Sequence, residues 1–121
     1  MDHLETGRRV IYRGRKIDLA LQSIRLADGT RADREVVVHR GGVAMVPMVD
    51  RDHVCLVKSF RHAAGRTLLE IPAGTLDPGE SPDETAPREL AEETGYRAGS
   101  IRRIAEWYVS PGVMNEGGVW L

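Results

Sequence analysis

The chain has 121 residues, of which 41% are hydrophobic and 29% charged, values that predict one globular domain and exclude an intrinsically disordered chain. Its 17 Lys and Arg are balanced by 18 Asp and Glu, so the net charge of -1 offers no general basic surface to nucleic acid or to an anionic membrane. A single cysteine, Cys55, excludes a disulfide framework, and the lack of an apolar signal segment or membrane-spanning run predicts a cytoplasmic protein.

The N-terminal third is rich in strand and turn signals. Residues 10–12 form a short β-prone run, and the apolar residues of segment 16–26 alternate loosely with polar ones. Asp28-Gly29 is a strong turn signal before the valines at 36–38, so we predict an antiparallel hairpin over residues 16–38. We therefore expect an N-terminal β region over residues 1–40, separate from the remainder at 41–121.

The middle of the chain reads as short strands joined by turns. We predict strands over residues 43–49 and 54–60 around a polar turn, and a further strand over residues 68–71 that stops at Pro72. The segment 72–80 is rich in Gly and Pro and is predicted to be a loop.

One helix has clear start and stop signals. Ser81 followed three residues later by Glu84 matches a capping box, Pro82 suits the first helical position, and Gly95 suits the residue after the last turn. Pro87 falls inside this span, so it predicts either a kink or a helix that starts near it. A strand over residues 100–109 follows, and many strands around one helix indicate an α+β fold.

The predicted helix carries three glutamates close together in its last two turns. Glu89 and Glu93 are four residues apart and share a face, and Glu92 lies beside them. Like charges at this spacing repel one another unless a cation neutralises them, and Mg²⁺ prefers oxygen ligands. From the residues alone, the alternative is a solvated acidic face balanced by Arg88 and Arg97.

The spacing of Gly74, Glu80 and the segment 88–96 resembles the Nudix box of the Nudix hydrolases. Every fixed Gly, Glu and Arg of that motif is present, while Tyr96 stands where the family usually has an aliphatic residue. The resemblance covers residues 74–96 and implies an α/β/α sandwich around a mixed sheet. It also implies Mg²⁺-dependent hydrolysis of nucleoside diphosphates linked to another moiety, with Mn²⁺ as the alternative cation.

The resemblance assigns roles to individual residues. Arg88 and Glu80 correspond to the pair that orients the helix and the loop before it, and Gly74 allows close approach of the backbone. The implied catalytic residues are Glu80, Arg88, Glu89, Glu92 and Glu93. The implied metal ligands are Glu89, Glu93, Glu92 and the backbone carbonyl of Ala73.

Three further features resemble the ADP-ribose pyrophosphatase subgroup of the family. Pro111, sixteen residues after Gly95, matches a proline marker, and the segments 57–61 and 69–74 match in outline. Arg61 matches an arginine that contacts substrate, and Arg34 a second one that the family takes from a partner subunit. The alternatives are a strand-ending proline and two exposed strand arginines.

The subgroup resemblance implies a homodimer that exchanges its N-terminal strand region and hydrolyses ADP-ribose to AMP and ribose 5-phosphate. Residues 117–121 look like a strand cut part-way, so we expect the C-terminal part of the domain, with its presumed catalytic base, to be missing. Two alternatives remain: a hydrolase of another nucleoside diphosphate sugar, and a Nudix-fold module that binds nucleotides with little turnover.

Overall fold

A computed structural model describes residues 4–121 as two compact units. The first contains residues 4–40 and 108–116, and the second contains residues 41–107 and 117–121. Residues 1–3 lie outside the described residues. The prediction that the chain shows no signal segment rests partly on them. The predicted boundary at 41 assigned residues 108–116 to the second region, whereas the packing of the chain groups them with the first.

The first unit is built on a three-stranded antiparallel sheet in the order β1-β2-β3. Its strands are β1 (Leu4–Arg13), β2 (Asp18–Arg25) and β3 (Arg31–Val38). Asp28 Oδ1 accepts hydrogen bonds from the backbone N–H of Thr30 at 2.9 Å and from its hydroxyl at 2.6 Å, which closes the β2–β3 turn. The predicted hairpin over residues 16–38 is therefore confirmed.

The segment 108–116 attaches to the end of β3 through the backbone. The Val37 N–H donates to the Val113 carbonyl at 2.7 Å, and the Asn115 N–H donates to the Val37 carbonyl at 3.0 Å. Pro111 lies in the turn of this segment, where the Val113 N–H donates to the Ser110 carbonyl at 3.1 Å. This turn is the break that the sequence Ser110-Pro111-Gly112 predicted.

The second unit is a mixed sheet with one helix against it. Its four-stranded sheet has the order β7-β4-β9-β8, in which β4 pairs with β7 antiparallel and with β9 parallel, and β5 forms a separate antiparallel hairpin with β6. The elements are β4 (Gly42–Ala44), β5 (Val57–Arg61), β6 (Arg66–Glu70), β7 (Ala73–Thr75), α1 (Pro82–Thr94), β8 (Ala105–Tyr108) and β9 (Gly117–Trp120).

A small apolar core joins α1 to β4 and β7. Its buried members are Val43, Met45, Ala86, Leu90 and Leu121. Burying a side chain such as that of Leu90 stabilises a fold by roughly 1.5–3 kcal/mol, so this contact fixes the rotation of α1 about its axis. The neighbouring face of α1, which carries Glu89, then lies against β7.

Both ends of α1 are as the sequence predicted. Ser81 Oγ accepts from the Glu84 N–H at 3.3 Å, and Glu84 Oε2 accepts from the Ser81 N–H at 3.1 Å, which completes the capping box. Gly95 ends the helix with a φ of 77°. Pro87 lies inside the continuous helix Pro82–Thr94, so the predicted late start is wrong, whereas the kink stays a prediction.

Several predicted strands are wrong in extent. The run 43–49 is a strand only to Ala44. The N–H groups of Met45 and Val46 still donate to the carbonyls of Pro72 and Leu121, but Pro47 has no N–H to continue this pattern, and a bridge between Met48 and Val54 follows. β8 covers four residues of the predicted strand 100–109. The predicted loop 72–80 contains β7, a three-residue strand in which only Thr75 is β-branched, and it forms because β4 lies beside it.

The architecture confirms an α+β fold with a mixed sheet. Within residues 4–121 there is one helix, α1, so the described chain contributes one of the two helical layers that an α/β/α sandwich has. That helix has neither the length nor the apolar character of a membrane-crossing segment.

Candidate functional site

The candidate site lies where α1 passes β7, and a glycine makes the approach possible. Glu89, on α1, lies against Gly74, the middle residue of β7. A Cβ atom at position 74 would overlap the Cγ and Cδ atoms of Glu89. Gly74 is therefore needed for the space it leaves, and the carboxylate of Glu89 is packed into that space with its side chain only 16% exposed.

Glu93, one helical turn after Glu89, contacts β7 at Ala73, the residue before Gly74. Its Oε2 atom accepts a hydrogen bond from the backbone N–H of Ala73 at 3.3 Å. Although Glu93 is solvent-exposed over much of its surface, the surrounding protein removes part of its hydration and raises its pKa. The Ala73 N–H opposes this shift, whereas the negative charge of Glu89 adds to it. Glu89 and Glu93 are thus two carboxylates close enough to repel each other.

Arg88 joins α1 to the loop that precedes it. Its Nη2 and Nε atoms donate to the two carboxylate oxygens of Glu80 at 2.7 and 3.1 Å, a paired geometry that is among the strongest for ions. The hydrogen bond from Arg88, helped by one from Thr85, lowers the pKa of Glu80 to about 2. Glu80 in turn raises the pKa of Arg88. Asp77 lies 3.4 Å from the same guanidinium.

The remaining nitrogen of Arg88 faces the helical glutamates. Nη1 donates to Glu89 Oε1 at 3.2 Å and lies 3.4 Å from Glu92 Oε1. Glu92 is the outermost of the three glutamates, with 58% of its side chain exposed. One arginine therefore contacts the loop carboxylate Glu80 and two of the three helical glutamates.

A second arginine approaches from the β5–β6 hairpin. Arg61 donates to both carboxylate oxygens of Glu70, from Nε at 2.7 Å and from Nη2 at 2.6 Å. This hydrogen-bonded pair raises the pKa of Arg61 and lowers the pKa of Glu70. The positive charge of Arg61 also acts on Glu93, so the hairpin adds a cationic group beside the acidic ones.

The structure brings together most of the residues that the sequence singled out. The seven that meet around α1, β7 and the β5–β6 hairpin are Arg61, Ala73, Glu80, Arg88, Glu89, Glu92 and Glu93. Arg34, on β3, and Pro111, in the 108–116 turn, belong to the first unit, and their roles in substrate binding stay predictions.

Two residues of the second unit were missed by sequence reasoning. Glu70 was noted only as part of a matching segment, and Asp77 was not considered. Glu70 is opposite Val57 and not Arg61 in the hairpin register, so no cross-strand charge pairing in the sequence points to it. Asp77 lies in a loop, where no periodicity points to it.

The donor set fits a hard cation. Glu89 and Glu93 offer carboxylate oxygen atoms whose mutual repulsion a cation would relieve, and the missing Cβ of Gly74 leaves room for Glu89 at β7. Within residues 4–121, no group of three or more Asp, Glu, His or Cys side chains is already arranged around one point. Metal binding by Glu89, Glu92 and Glu93 therefore stays a prediction.

A cavity of about 680 Å³ lies elsewhere in the second unit. Apolar side chains, among them Met45, Leu90, Ile104 and Leu121, form much of its wall. None of the glutamates described above lines it. Its wall also includes Arg97 and Arg102 but no Asp or Glu that could hold a cation, so the carboxylate cluster, and not this cavity, is the candidate site.

Comparisons with known proteins identify the family of the chain. The family model described as NUDIX domain matches residues 38–120. The chain is 44% identical over 106 residues to the ADP-ribose pyrophosphatase of Bacillus subtilis, and 36% identical over 106 residues to the methanol dehydrogenase activator of Bacillus methanolicus. Each match covers 88% of this chain and 57% of the relative, so the chain spans little more than half the length of either.

A solved structure resembles the whole described chain. The crystal structure of an ADP compounds hydrolase superposes with a TM-score of 0.83 at 25% sequence identity, covering 99% of this chain and 65% of that one. The first unit is therefore included in the likeness, as well as the second.

Proposed function

Because the chain belongs to the NUDIX domain family, we propose that it hydrolyses the pyrophosphate bond of ADP-ribose and releases AMP and ribose 5-phosphate. The observation that carries the proposal is the meeting of Glu89 and Glu93 with Gly74 and Ala73 at β7, within the motif that defines the family match. The name of the Bacillus subtilis relative supports ADP-ribose as the substrate.

Nudix hydrolases generally need a divalent cation, and we propose Mg²⁺ for this chain, with Mn²⁺ as a substitute. The residues that would hold it are Glu89, Glu92 and Glu93, with the carbonyl of Ala73. The bound cation would supply neutralising charge and Lewis acidity toward the phosphoryl oxygens.

The side chains of this protein would then bind and orient the diphosphate. In the reaction, a water oxygen forms a new bond to one phosphorus as the bridging P–O bond breaks, so each product keeps a terminal phosphate. Arg61 carries a positive charge that can bind a phosphate oxygen, and its position beside Glu93 supports this role. Arg88 and Glu80 are positioning residues, because their paired hydrogen bonds tie the helix to the preceding loop.

The direct test is product analysis with the purified chain. We expect ADP-ribose and Mg²⁺ to yield equal amounts of AMP and ribose 5-phosphate by chromatography, and EDTA to abolish the reaction. A panel of other nucleoside diphosphate sugars tests the nearest alternative substrate class. Equal turnover of every sugar, or none of ADP-ribose, would contradict the proposed substrate.

A second candidate is a nucleotide-binding module with a regulatory role. It is favoured by the relative from Bacillus methanolicus, which is named as an activator of another enzyme. Calorimetric titration with ADP-ribose beside the product assay separates the two candidates. Binding without release of AMP supports the module, whereas turnover supports the hydrolase.

We also propose that the protein is a homodimer whose N-terminal region contacts the partner subunit, with Arg34 and Pro111 contributing to substrate binding. The first unit supports this proposal because it exposes several large apolar side chains, namely Val10, Ile11, Tyr12 and Ile17. Light scattering during size-exclusion chromatography is expected to give twice the 13.4 kDa mass of one chain. A monomer at all concentrations tested would exclude the dimer.

A further inference from the structure

The β5–β6 hairpin contains an ion pair that its strand register does not by itself bring together. Arg61 is opposite Arg66 at the turn end, whereas Glu70 is opposite Val57 at the other end. Along the hairpin, the positions of Arg61 and Glu70 are four residues apart, roughly 13 Å, although both side chains lie on the same face of the sheet. The long side chain of Arg61 must therefore extend back along β5 to reach Glu70, and the carboxylate selects that conformation.

The end of the hairpin that holds Glu70 is the end next to the acidic cluster. Only Ile71 and Pro72 separate Glu70 from β7, whose first residue donates to Glu93. The guanidinium of Arg61 is consequently close enough to Glu93 for each to shift the pKa of the other. Without Glu70, the same side chain could point outward from the turn end, away from the glutamates.

The pairing leaves part of the guanidinium available for a ligand. Of the five N–H groups of an arginine, Glu70 accepts one from Nε and one from Nη2. Three remain, two of them on the edge formed by Nη1 and Nη2, and half of the Arg61 side chain is exposed. Among the hydrogen bonds of residues 4–121, those to Glu70 are the ones that the Arg61 guanidinium makes. This edge matches two oxygen atoms of a phosphate.

We propose that Glu70 is a positioning residue that holds Arg61 in the conformation that binds the diphosphate of the substrate. The inference rests on the proposed function and deepens it, because it assigns one residue outside the family motif to the same site. Glu70 touches no substrate atom in this role. Glu70 fixes the Arg61 side chain before the ligand binds, so that less conformational entropy is lost on binding.

The test uses inorganic pyrophosphate as the probe, titrated calorimetrically into the Mg²⁺-saturated chain. The variants are Glu70→Gln, Arg61→Ala and the double variant. Glu106→Gln is the matched control, because it neutralises the carboxylate of the exposed pair with Arg103, at 3.0 Å in the same unit. Ordering a long side chain costs an amount that corresponds to about two- to tenfold in affinity, so Glu70→Gln is expected to weaken binding by about that factor.

The expected pattern is specific to a positioning role. Glu106→Gln binds pyrophosphate as the unchanged chain does, and the double variant binds no more weakly than Arg61→Ala alone, because Glu70 acts through Arg61. The NMR signal of the Arg61 Nε–H should also exchange with water more rapidly in Glu70→Gln, while thermal unfolding stays near that of the control.

The outcomes separate this inference from the proposed function. Unchanged pyrophosphate affinity in Glu70→Gln, additive losses in the double variant, or no binding by the unchanged chain would each overturn the positioning role. Binding that depends on Glu70, in a chain that does not cleave ADP-ribose, would support the positioning role and overturn the proposed substrate alone.

Discussion

The side chain of Glu89 lies so close to Gly74 that a Cβ atom at position 74 would overlap it. The backbone of Gly74 does not have the positive φ found at Gly95, so glycine is required here for space and not for conformational freedom. The contact also ties the helix to the strand at the point where the acidic side chains gather. It links the packing of the fold directly to the candidate chemistry.

Replacing Gly74 by alanine should therefore displace Glu89. We expect a loss of about 1–3 kcal/mol in the free energy of unfolding from overpacking, and at least about tenfold lower turnover of ADP-ribose. Gly99→Ala is the control, since a Cβ there would have no atom within 4 Å. Full activity in Gly74→Ala would show that the close contact does not position Glu89. Denaturant unfolding and product analysis measure the two effects.

Neutralising Glu89 or Glu93 should separate activity from stability. We expect Glu89→Gln and Glu93→Gln to lower turnover by about 100-fold or more, because a charge needed in the site is removed. In Glu93→Gln the free energy of unfolding should stay the same or rise, because repulsion between the two carboxylates ends, whereas in Glu89→Gln the weaker bond to Arg88 offsets this gain. Glu106→Gln should leave both quantities unchanged. Equal losses of turnover and stability would instead indicate that the glutamates are structural.

The Arg88–Glu80 pair should make stability depend on acidity. The pKa of Glu80 is about 2 in the folded protein against an ordinary 4.5, so its contribution is fully present above pH 4.5 and is lost as the pH falls toward 2. We expect the stability difference between the unchanged chain and Glu80→Gln to be constant above about pH 5 and to shrink below it. Chemical denaturation at each pH gives this difference. A constant difference down to pH 2.5 would argue against the ion pair.

The capping box should contribute measurably to α1. Removing the Ser81 hydroxyl in Ser81→Ala leaves the Glu84 N–H without its acceptor, and we expect a loss of about 1 kcal/mol. The exposed Ser100 lies outside the helix, and Ser100→Ala serves as the control. Denaturant midpoints of the two variants test this expectation. Equal midpoints would mean that the cap hydrogen bond adds nothing to stability.

Pro87 should weaken α1, although the helix is continuous through this position. Pro87→Ala restores an N–H that can donate to the Asp83 carbonyl, and the side chain at 87 is exposed, so no packing is lost. We expect a gain of about 1–2 kcal/mol, less than the full helix preference because alanine also frees the unfolded chain. Calorimetric melting measures the gain. A lower melting temperature would imply that Pro87 is stabilising in this helix.

Local signals in the sequence predicted the elements whose hydrogen bonds lie close along the chain. The capping box at Ser81, the left-handed Gly95 and the β2–β3 hairpin all follow from short-range backbone chemistry. The spacing of the glutamates on α1 also follows from helix periodicity, and with Gly74 and Glu80 it indicates the family from the sequence alone. Strand ends were less predictable, as the short β4 before Pro47 and the β7 within a Gly-rich segment demonstrate.

Contacts distant along the chain were decided only by the folded structure. Which face of α1 meets β7 depends on the burial of Ala86 and Leu90, and that burial places Glu89 against Gly74. The pairing of Arg61 with Glu70 depends on hairpin register and on the reach of two side chains, neither of which residue types encode. Residue chemistry and spacing along one helix thus identify the family and the acidic groups. The placement of Arg61 beside those groups is decided by packing, because packing alone brings separate strands and the helix to one place.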